Sequence, residues 1–442
     1  MQPTTQKLID SDKRHCWHPF TQMRDWCAPD HEPLVLVEGE GVLLRDSEGR
    51  EYIDGNSSIW TNIHGHRHPK INAALRDQLE RVAHTSFLGF TNPPAIQLAE
   101  ELLALWPQNV SQPLTRVFFG DDGSTAIECA IKMAVQCWQF RGQPQRNRFL
   151  AFSNAYHGDT MGASSLGGIN AFHGRFSAFH FPSSHVGSID ELISRTQPSA
   201  SDPIDPREIA AVVIEPLMQG AAGMRLWPAG MLAQLRAWCD RHGIFLIADE
   251  VMTGFGRTGK MFASHHEGVV PDFVACAKGL SGGYTPLSAT LTTEAVYESF
   301  LGDYTKMKSF FYGHSFTGHQ LGCAAALASL AIFREEAVLE KLAGKIEMLT
   351  GALATLKAHR NIAEIRQCGF MSGIELKRSS GERFDAARQI GARVCVAARK
   401  HGLLTRPVTG DTVVLMPPFC ISEAQIMQSV EAIRLGIEEV CD

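Results

Sequence analysis

The chain has 442 residues, 44% hydrophobic and 20% charged, with a formal net charge of −6 at pH 7. That length exceeds what one hydrophobic core usually serves, so a large domain with a smaller companion is expected. The mild acidity argues against a general nucleic-acid or anionic-membrane binder and makes small molecules the expected partners. Eleven cysteines, an odd number without a C-x-x-C pair, argue against a zinc site or a secreted disulfide framework and fit reduced cytoplasmic thiols. The first fifteen residues are polar, and the longest apolar run, residues 321–333, is too short to span a bilayer. No targeting signal is visible, and a cytoplasmic location is expected.

Short extended runs over residues 35–54, punctuated by Gly39, Gly41 and Ser47-Glu48-Gly49-Arg50, predict an antiparallel meander. Helical patterns follow over 69–84 and 93–105, each opening on proline. A strand over 116–119 leads into Gly120-Asp121-Asp122-Gly123-Ser124 and a helix with apolar positions Ala126, Ile127, Ala130, Ile131 and Ala134, where Thr125 and Glu128 fit a capping box. Strands over 149–152 and 211–214, a helix over 228–242 and strands over 244–250 and 273–276 continue the alternation. This pattern predicts the α/β class with a mostly parallel sheet. Residues 172–208, weakly patterned and rich in Ser, His and Pro, read as a surface excursion. Helices are expected over 319–335 and 339–359. An α+β tail follows, with strands over 362–366, 371–376 and 413–416 and a helix over 385–401. The expected division is 66–335 for the large domain, with 1–65 and 336–442 together forming the small one.

The stretch Ile244-Phe245-Leu246-Ile247-Ala248-Asp249-Glu250 reads as a buried strand that carries two carboxylates to a sheet rim. Phe273-Val274-Ala275-Cys276 is a second apolar strand leading to Lys278, followed by Gly279, Gly282 and Gly283. Adjacent parallel strands would bring an acid and an amine to the carboxyl edge, where open α/β sheets bind ligands. That pairing points to pyridoxal phosphate, with the lysine as nucleophile and the aspartate on the pyridine nitrogen.

Gly123-Ser124, at a helix start after a strand, suits either a phosphate or a plain cap, and the Asp122 carboxylate beside it would repel phosphate unless turned away. Within Asn154-Ala155-Tyr156-His157-Gly158-Asp159-Thr160, Tyr156 or His157 would stack on an aromatic ring and Asp159 would reach a polar substrate group; a structural turn is the alternative. Glu215, ending another strand, orients a ring or caps a turn. Gly254-Phe255-Gly256-Arg257-Thr258-Gly259 matches G-x-G-x-x-G, but no helix pattern follows, so a dinucleotide site is disfavoured. Arg257 is expected to be a structural or substrate-facing cation near Asp249. His64, His66 and His68, like His265 and His266, lack zinc-site spacing and read as loop histidines bonded to backbone, leaving no expected metal.

Asp249-Glu250-Val251-x-x-Gly254-Phe255-Gly256-Arg257-x-Gly259, with Lys278 29 residues beyond Asp249, resembles the class III pyridoxal-phosphate aminotransferases. Trp17-His18-Pro19, Asp54-Gly55-x-Ser57-Ser58-x-Trp60, Tyr156-His157-Gly158-Asp159-Thr160 and Leu415-Met416-Pro417-Pro418 resemble the branch that aminates 8-amino-7-oxononanoate in biotin biosynthesis. The alternative is an ω-amino-acid aminotransferase using pyruvate or 2-oxoglutarate. The resemblance implies the type I fold of these enzymes, pyridoxal 5′-phosphate as cofactor and a homodimer with active sites at its interface. It makes Lys278 the Schiff-base lysine, Asp249 the pyridinium partner and Gly123 with Ser124 the phosphate cup. Tyr156 would lie against the ring, with His157 and Glu215 beside it. Gly313-His314-Ser315 would reach the phosphate of the neighbouring subunit. On the substrate side it implies Phe20, Ile59, Trp60, Asp159 and Gly313, with Arg406 pairing a carboxylate through its planar fork. Family members using S-adenosylmethionine carry Tyr, Trp and Tyr where this chain has Phe20, Ile59 and Val414. Trp17-His18-Pro19-Phe20-Thr21-Gln22-Met23 and Gly313-His314-Ser315-Phe316-Thr317-Gly318 resemble a branch that takes its amino group from lysine, so the donor stays open between the two.

Overall fold

A computed structural model describes residues 2–441. Met1 and Asp442, the outermost positions of the two expected small-domain segments, lie outside the described residues. The central sheet has seven strands in the order Leu114–Gly120, Ser288–Thr293, Phe273–Cys276, Phe245–Asp249, Ile209–Ile214, Arg148–Phe152 and Ser183–Val186. Only Ser288–Thr293 runs against its neighbours. The sheet is therefore mostly parallel, as the alternation of elements predicts.

Phe245–Asp249 and Ile209–Ile214 are buried at every position because both faces of the sheet are covered. Helix Gly123–Phe140 packs on one face through Ile127, Ala130, Ile131 and Ala134, the spacing of one helical stripe. Helix Met231–His242 covers the other through Leu232, Leu235 and Cys239. Each fully buried Leu, Ile or Phe in these layers contributes roughly 1.5–3 kcal/mol. Truncating one in the middle of a strand also leaves a cavity, at about 2–5 kcal/mol.

The meander forms as expected from Leu36–Glu40, Leu43–Asp46 and Glu51–Asp54. The two-residue strand Leu403–Leu404 adds to it in parallel beside Ile53 and Asp54. Ile362–Cys368, Met371–Leu376, Thr412–Leu415 and Pro407–Val408 make a separate antiparallel sheet.

Several expectations are corrected. Residues 172–208 are not a mere excursion, because Ser183–Val186 is the edge strand of the central sheet and Ile189–Arg195 a capped helix. The expected helix over 385–401 is broken: Asp385 caps a short turn, Gln389 sits at φ 48°, and the helix proper is Ile390–Arg399. The cap of the helix after Leu114–Gly120 is Asp122 with Thr125, three residues earlier than the expected Thr125 and Glu128. Glu128 instead accepts hydrogen bonds from the Gly162 and Ala163 N–H groups. Helix Glu423–Val440 was not anticipated, although its capping box, Ser422 with Gln425, is a legible S-x-x-Q signature.

Candidate active site

Parallel strands share a carboxyl edge, so residues that follow different strands converge there. Ala248 lies opposite Ile214, which places Asp249 and Glu215 side by side at the ends of neighbouring strands. Asp249 lies opposite Ala275, three residues before Lys278. The segment after Arg148–Phe152 brings Tyr156 and His157, and the helix after Leu114–Gly120 starts at Gly123. These groups surround one cavity of about 790 Å³.

Within it, Asp249 is held on both oxygens. Oδ2 accepts from His157 Nδ1 at 2.7 Å and Oδ1 from the Val251 N–H at 3.1 Å. Burial disfavours a charged His157, yet the bond to Asp249 outweighs it and leaves the imidazole pKa above its ordinary value. The bond fixes the plane of the His157 ring against Asp249. Both expected stacking residues line the cavity, and the Tyr156 hydroxyl donates to Asp159 Oδ2 at 2.7 Å.

Burial pulls the Lys278 pKa from 10.5 down to about 8, against the opposing pull of Asp249 and Glu215. Its backbone sits at φ 46°, a left-handed position unusual for a side chain of this size, at the start of a short 3-10 turn. Among the described residues no hydrogen bond or ion pair engages Nζ, which stands 4.7 Å from the centre of the Trp60 ring. Burial likewise pushes Glu215 up to about 7, although its oxygens accept from the Tyr156 and Gly220 N–H groups.

The Gly123 and Ser124 N–H groups lie in the first turn of an 18-residue helix, where no intrahelical acceptor exists. The Ser124 hydroxyl accepts from the Thr160 N–H at 3.0 Å and shares a hydrogen bond of 2.8 Å with the Thr160 hydroxyl. Glycine is required twice here. A Cβ on Gly123 would meet Val251 Cγ1 at 2.6 Å, and one on Gly158, at φ 114°, would meet Ser124 Oγ at 2.4 Å. Asp122 Oδ1 accepts from the Thr125 N–H at 2.9 Å, so its carboxylate is turned onto the helix it caps.

The remaining expected residues divide. Trp60, Asp159 and Glu215 line the cavity. Phe20 and Ile59 do not; Phe20 is exposed and reaches the site only through Phe172, whose ring meets both Phe20 and Tyr156 edge-on. Gly313, His314 and Ser315 lie outside this chain's own cavity, with His314 Nδ1 3.0 Å from Asp121. Arg406 is exposed and also off the cavity. Arg257, expected as a structural or substrate-facing cation, has structural surroundings: it is buried, donates to the Met416 and Pro417 carbonyls, and lies over the Phe419 ring. Three of the five loop histidines expected to bond to backbone use side chains instead: Ser329 for His64, Asp54 and Asn62 for His66, Thr258 for His266. No metal-holding cluster occurs among the described residues. Thr160, Met252 and Thr253 line the cavity without having been singled out; Thr160 sat within a motif already under scrutiny.

Residues 27–437 match the family described as aminotransferase class-III. The adenosylmethionine-8-amino-7-oxononanoate aminotransferase of Geobacter sulfurreducens is 45% identical over 99% of this chain and 98% of its own length. The crystal structure of adenosylmethionine-8-amino-7-oxononanoate aminotransferase from Methanocaldococcus jannaschii aligns with a TM-score of 0.93 at 37% identity, covering 98% of this chain and 99% of that one. An (S)-enantioselective omega-transaminase from Thermomicrobium roseum aligns at 0.91 with 32% identity, covering 99% of each chain. With the family matched over most of its length and relatives this similar end to end, the chain belongs to the class-III aminotransferases.

Proposed function

We propose that this chain transfers an amino group to 8-amino-7-oxononanoate, giving 7,8-diaminononanoate for biotin synthesis, with pyridoxal 5′-phosphate as its cofactor. The observation that carries the reading is the meeting of the Lys278 amine, which has no hydrogen bond or ion pair among the described residues, the doubly held Asp249 carboxylate and the Gly123-Ser124 helix start around one cavity. The names and similarity of the relatives supply the acceptor. The omega-transaminase alternative rests on a more distant relative and is the weaker reading.

When bound, the cofactor supplies an electron sink and a carrier for the amino group between two substrates. The N–H groups of Gly123 and Ser124, with the Ser124 hydroxyl, would hold its phosphate, and the helix dipole favours the negative charge there. Asp249, fixed by His157 and Val251, would keep a proton on the ring nitrogen. Tyr156 would cover the ring. Lys278 would attach to the aldehyde carbon and, with its lowered pKa, take and return the proton at the substrate carbon. Arg406 would pair with the acceptor's carboxylate, which a chain of methylenes carries away from the reacting ketone and hence beyond the cavity.

S-adenosylmethionine is the proposed donor, supported by the names of the relatives. A homodimer is proposed because Gly313, His314 and Ser315 stay outside their own chain's cavity while Leu88, Phe90, Phe311 and Phe316 remain exposed. Spectrophotometry of the loaded enzyme tests the donor: S-adenosylmethionine should remove the absorbance of the lysine-bound cofactor, and 8-amino-7-oxononanoate should restore it. Loss with lysine but not with S-adenosylmethionine overturns the donor, and no restoration by the ketone overturns the acceptor.

A further inference from the structure

The wall behind Trp60 differs in composition from the rest of the interior. Trp60 packs with Met218, Met224, Met252, Met371, Met416 and Val414 as one buried cluster. The two clusters flanking the central sheet hold a single buried methionine each, and the largest cluster holds none. The soft side chains are therefore concentrated at one place. Met252 lines the cavity beside Trp60, whereas Met218, Met224, Met371 and Met416 are fully buried behind them.

Trp60 is also mounted unusually. Ser57, Ser58 and Trp60 have φ of 46°, 62° and 66°, so the segment is held in a strained, left-handed path rather than in a regular helix. The backbone of the segment is pinned by Asp54, which accepts from the Ser58 N–H and hydroxyl, and by the Ser57 hydroxyl, which donates to the Met416 carbonyl at 2.8 Å, whereas the indole itself makes one hydrogen bond, its N–H donating to Asn56 Oδ1 at 2.8 Å. The far side of the ring is crowded by the 218–226 loop, where a Cβ on Gly220 would meet Met252 Sδ at 2.3 Å and Trp60 Cζ3 at 3.3 Å.

Methionine is unbranched and polarisable and refills irregular space at low torsional cost, whereas Val and Ile are stiff at χ1. A transaminase must accept two substrates in turn at one site, and the indole over Lys278 Nζ stands in the way of whatever reaches that amine. We propose that Met218, Met224, Met252, Met371 and Met416 are positioning residues, a re-packing cushion that lets the Trp60 ring retreat and return as substrates of different bulk occupy the cavity. The proposal rests on the transaminase reading but not on a particular acceptor.

The test uses loaded enzyme with methyl-13C methionine, assigned by single Met→Leu changes and titrated separately with each substrate. Met252 and at least one of the buried Met218, Met371 and Met416 should show methyl shifts that differ between the two substrates. The quadruple variant M218L/M224L/M371L/M416L nearly conserves volume while removing flexibility. It should raise KM about fivefold for the bulkier substrate and less than twofold for the smaller. Buried methyls that move with neither substrate, or KM values that change equally for both, overturn the proposal. If the quadruple variant does not fold, the wild-type methyl titration alone decides. If 8-amino-7-oxononanoate is not accepted, the acceptor assignment fails, and the same methyl criterion is applied with the amine and carbonyl pair that the enzyme does turn over.

Discussion

Glu215 makes a stability prediction with a definite sign. Its carboxyl is 7% exposed, and burial raises its pKa from 4.5 to about 7. A group whose folded pKa is raised contributes stability in full below its unfolded pKa, and that contribution is lost as pH climbs through the folded value. The window is therefore about pH 4.5 to 7. At about 1.4 kcal/mol per pH unit that window sets an effect of about 3 kcal/mol, most of which falls between pH 5 and 8. Glu215→Gln removes the titration while keeping one acceptor for the Tyr156 and Gly220 N–H groups. Urea unfolding of cofactor-free protein at fixed concentration should show wild type losing about 2–3 kcal/mol relative to the variant from pH 5 to 8. A difference that stays flat across that range, or one that grows in favour of wild type, refutes the reasoning.

Glu250, next to Asp249 in sequence, has a structural task. Fully buried, it accepts from the Thr253 hydroxyl, the Ala263 and Ser264 N–H groups and the Ser264 hydroxyl. Glu250→Ala leaves these donors without a partner and should cost about 3–5 kcal/mol by chemical denaturation; a loss under about 1 kcal/mol contradicts that role. Gly158→Ala would press a methyl onto Ser124 and should weaken cofactor binding at least about tenfold in equilibrium dialysis, since a loss of about 1.4 kcal/mol suffices. Unchanged affinity would mean that Ser124 does not hold the phosphate.

The parts of the central sheet that were legible in the sequence are its buried apolar strands and the amphipathic helix Gly123–Phe140 packed on them. Phe245–Asp249 and Phe273–Cys276 are apolar runs, and the chemistry-bearing residues follow directly at their ends. Ser183–Val186 escaped because it is an edge strand of Ser, Ser, His and Val, and only one neighbour satisfies its backbone. Ser288–Thr293 escaped for a different reason. It is buried at all six positions, but its Ser and Thr hydroxyls give it the composition of a loop; Thr290 and Thr292 donate to the Ala126 and Asp272 carbonyls.

The candidate site was readable where position along a strand decides location, as for Asp249, Glu215 and Lys278. It was not readable where long-range packing decides. The partners of Arg257 are carbonyls about 160 residues away, which no local pattern announces. The methionine cushion assembles from four separate stretches, and nothing in any one of them announces the cluster. Asp122 looked hostile to phosphate because a sequence does not show which way a carboxylate turns.

The central claim is that Lys278 carries the cofactor. Borohydride reduction of the loaded enzyme fixes the lysine–cofactor bond, and peptide mass spectrometry then locates it. The account predicts a pyridoxyl phosphate adduct on the peptide containing Lys278, absent in Lys278→Ala; an adduct on another lysine, or the same spectrum and adduct in the variant, contradicts it.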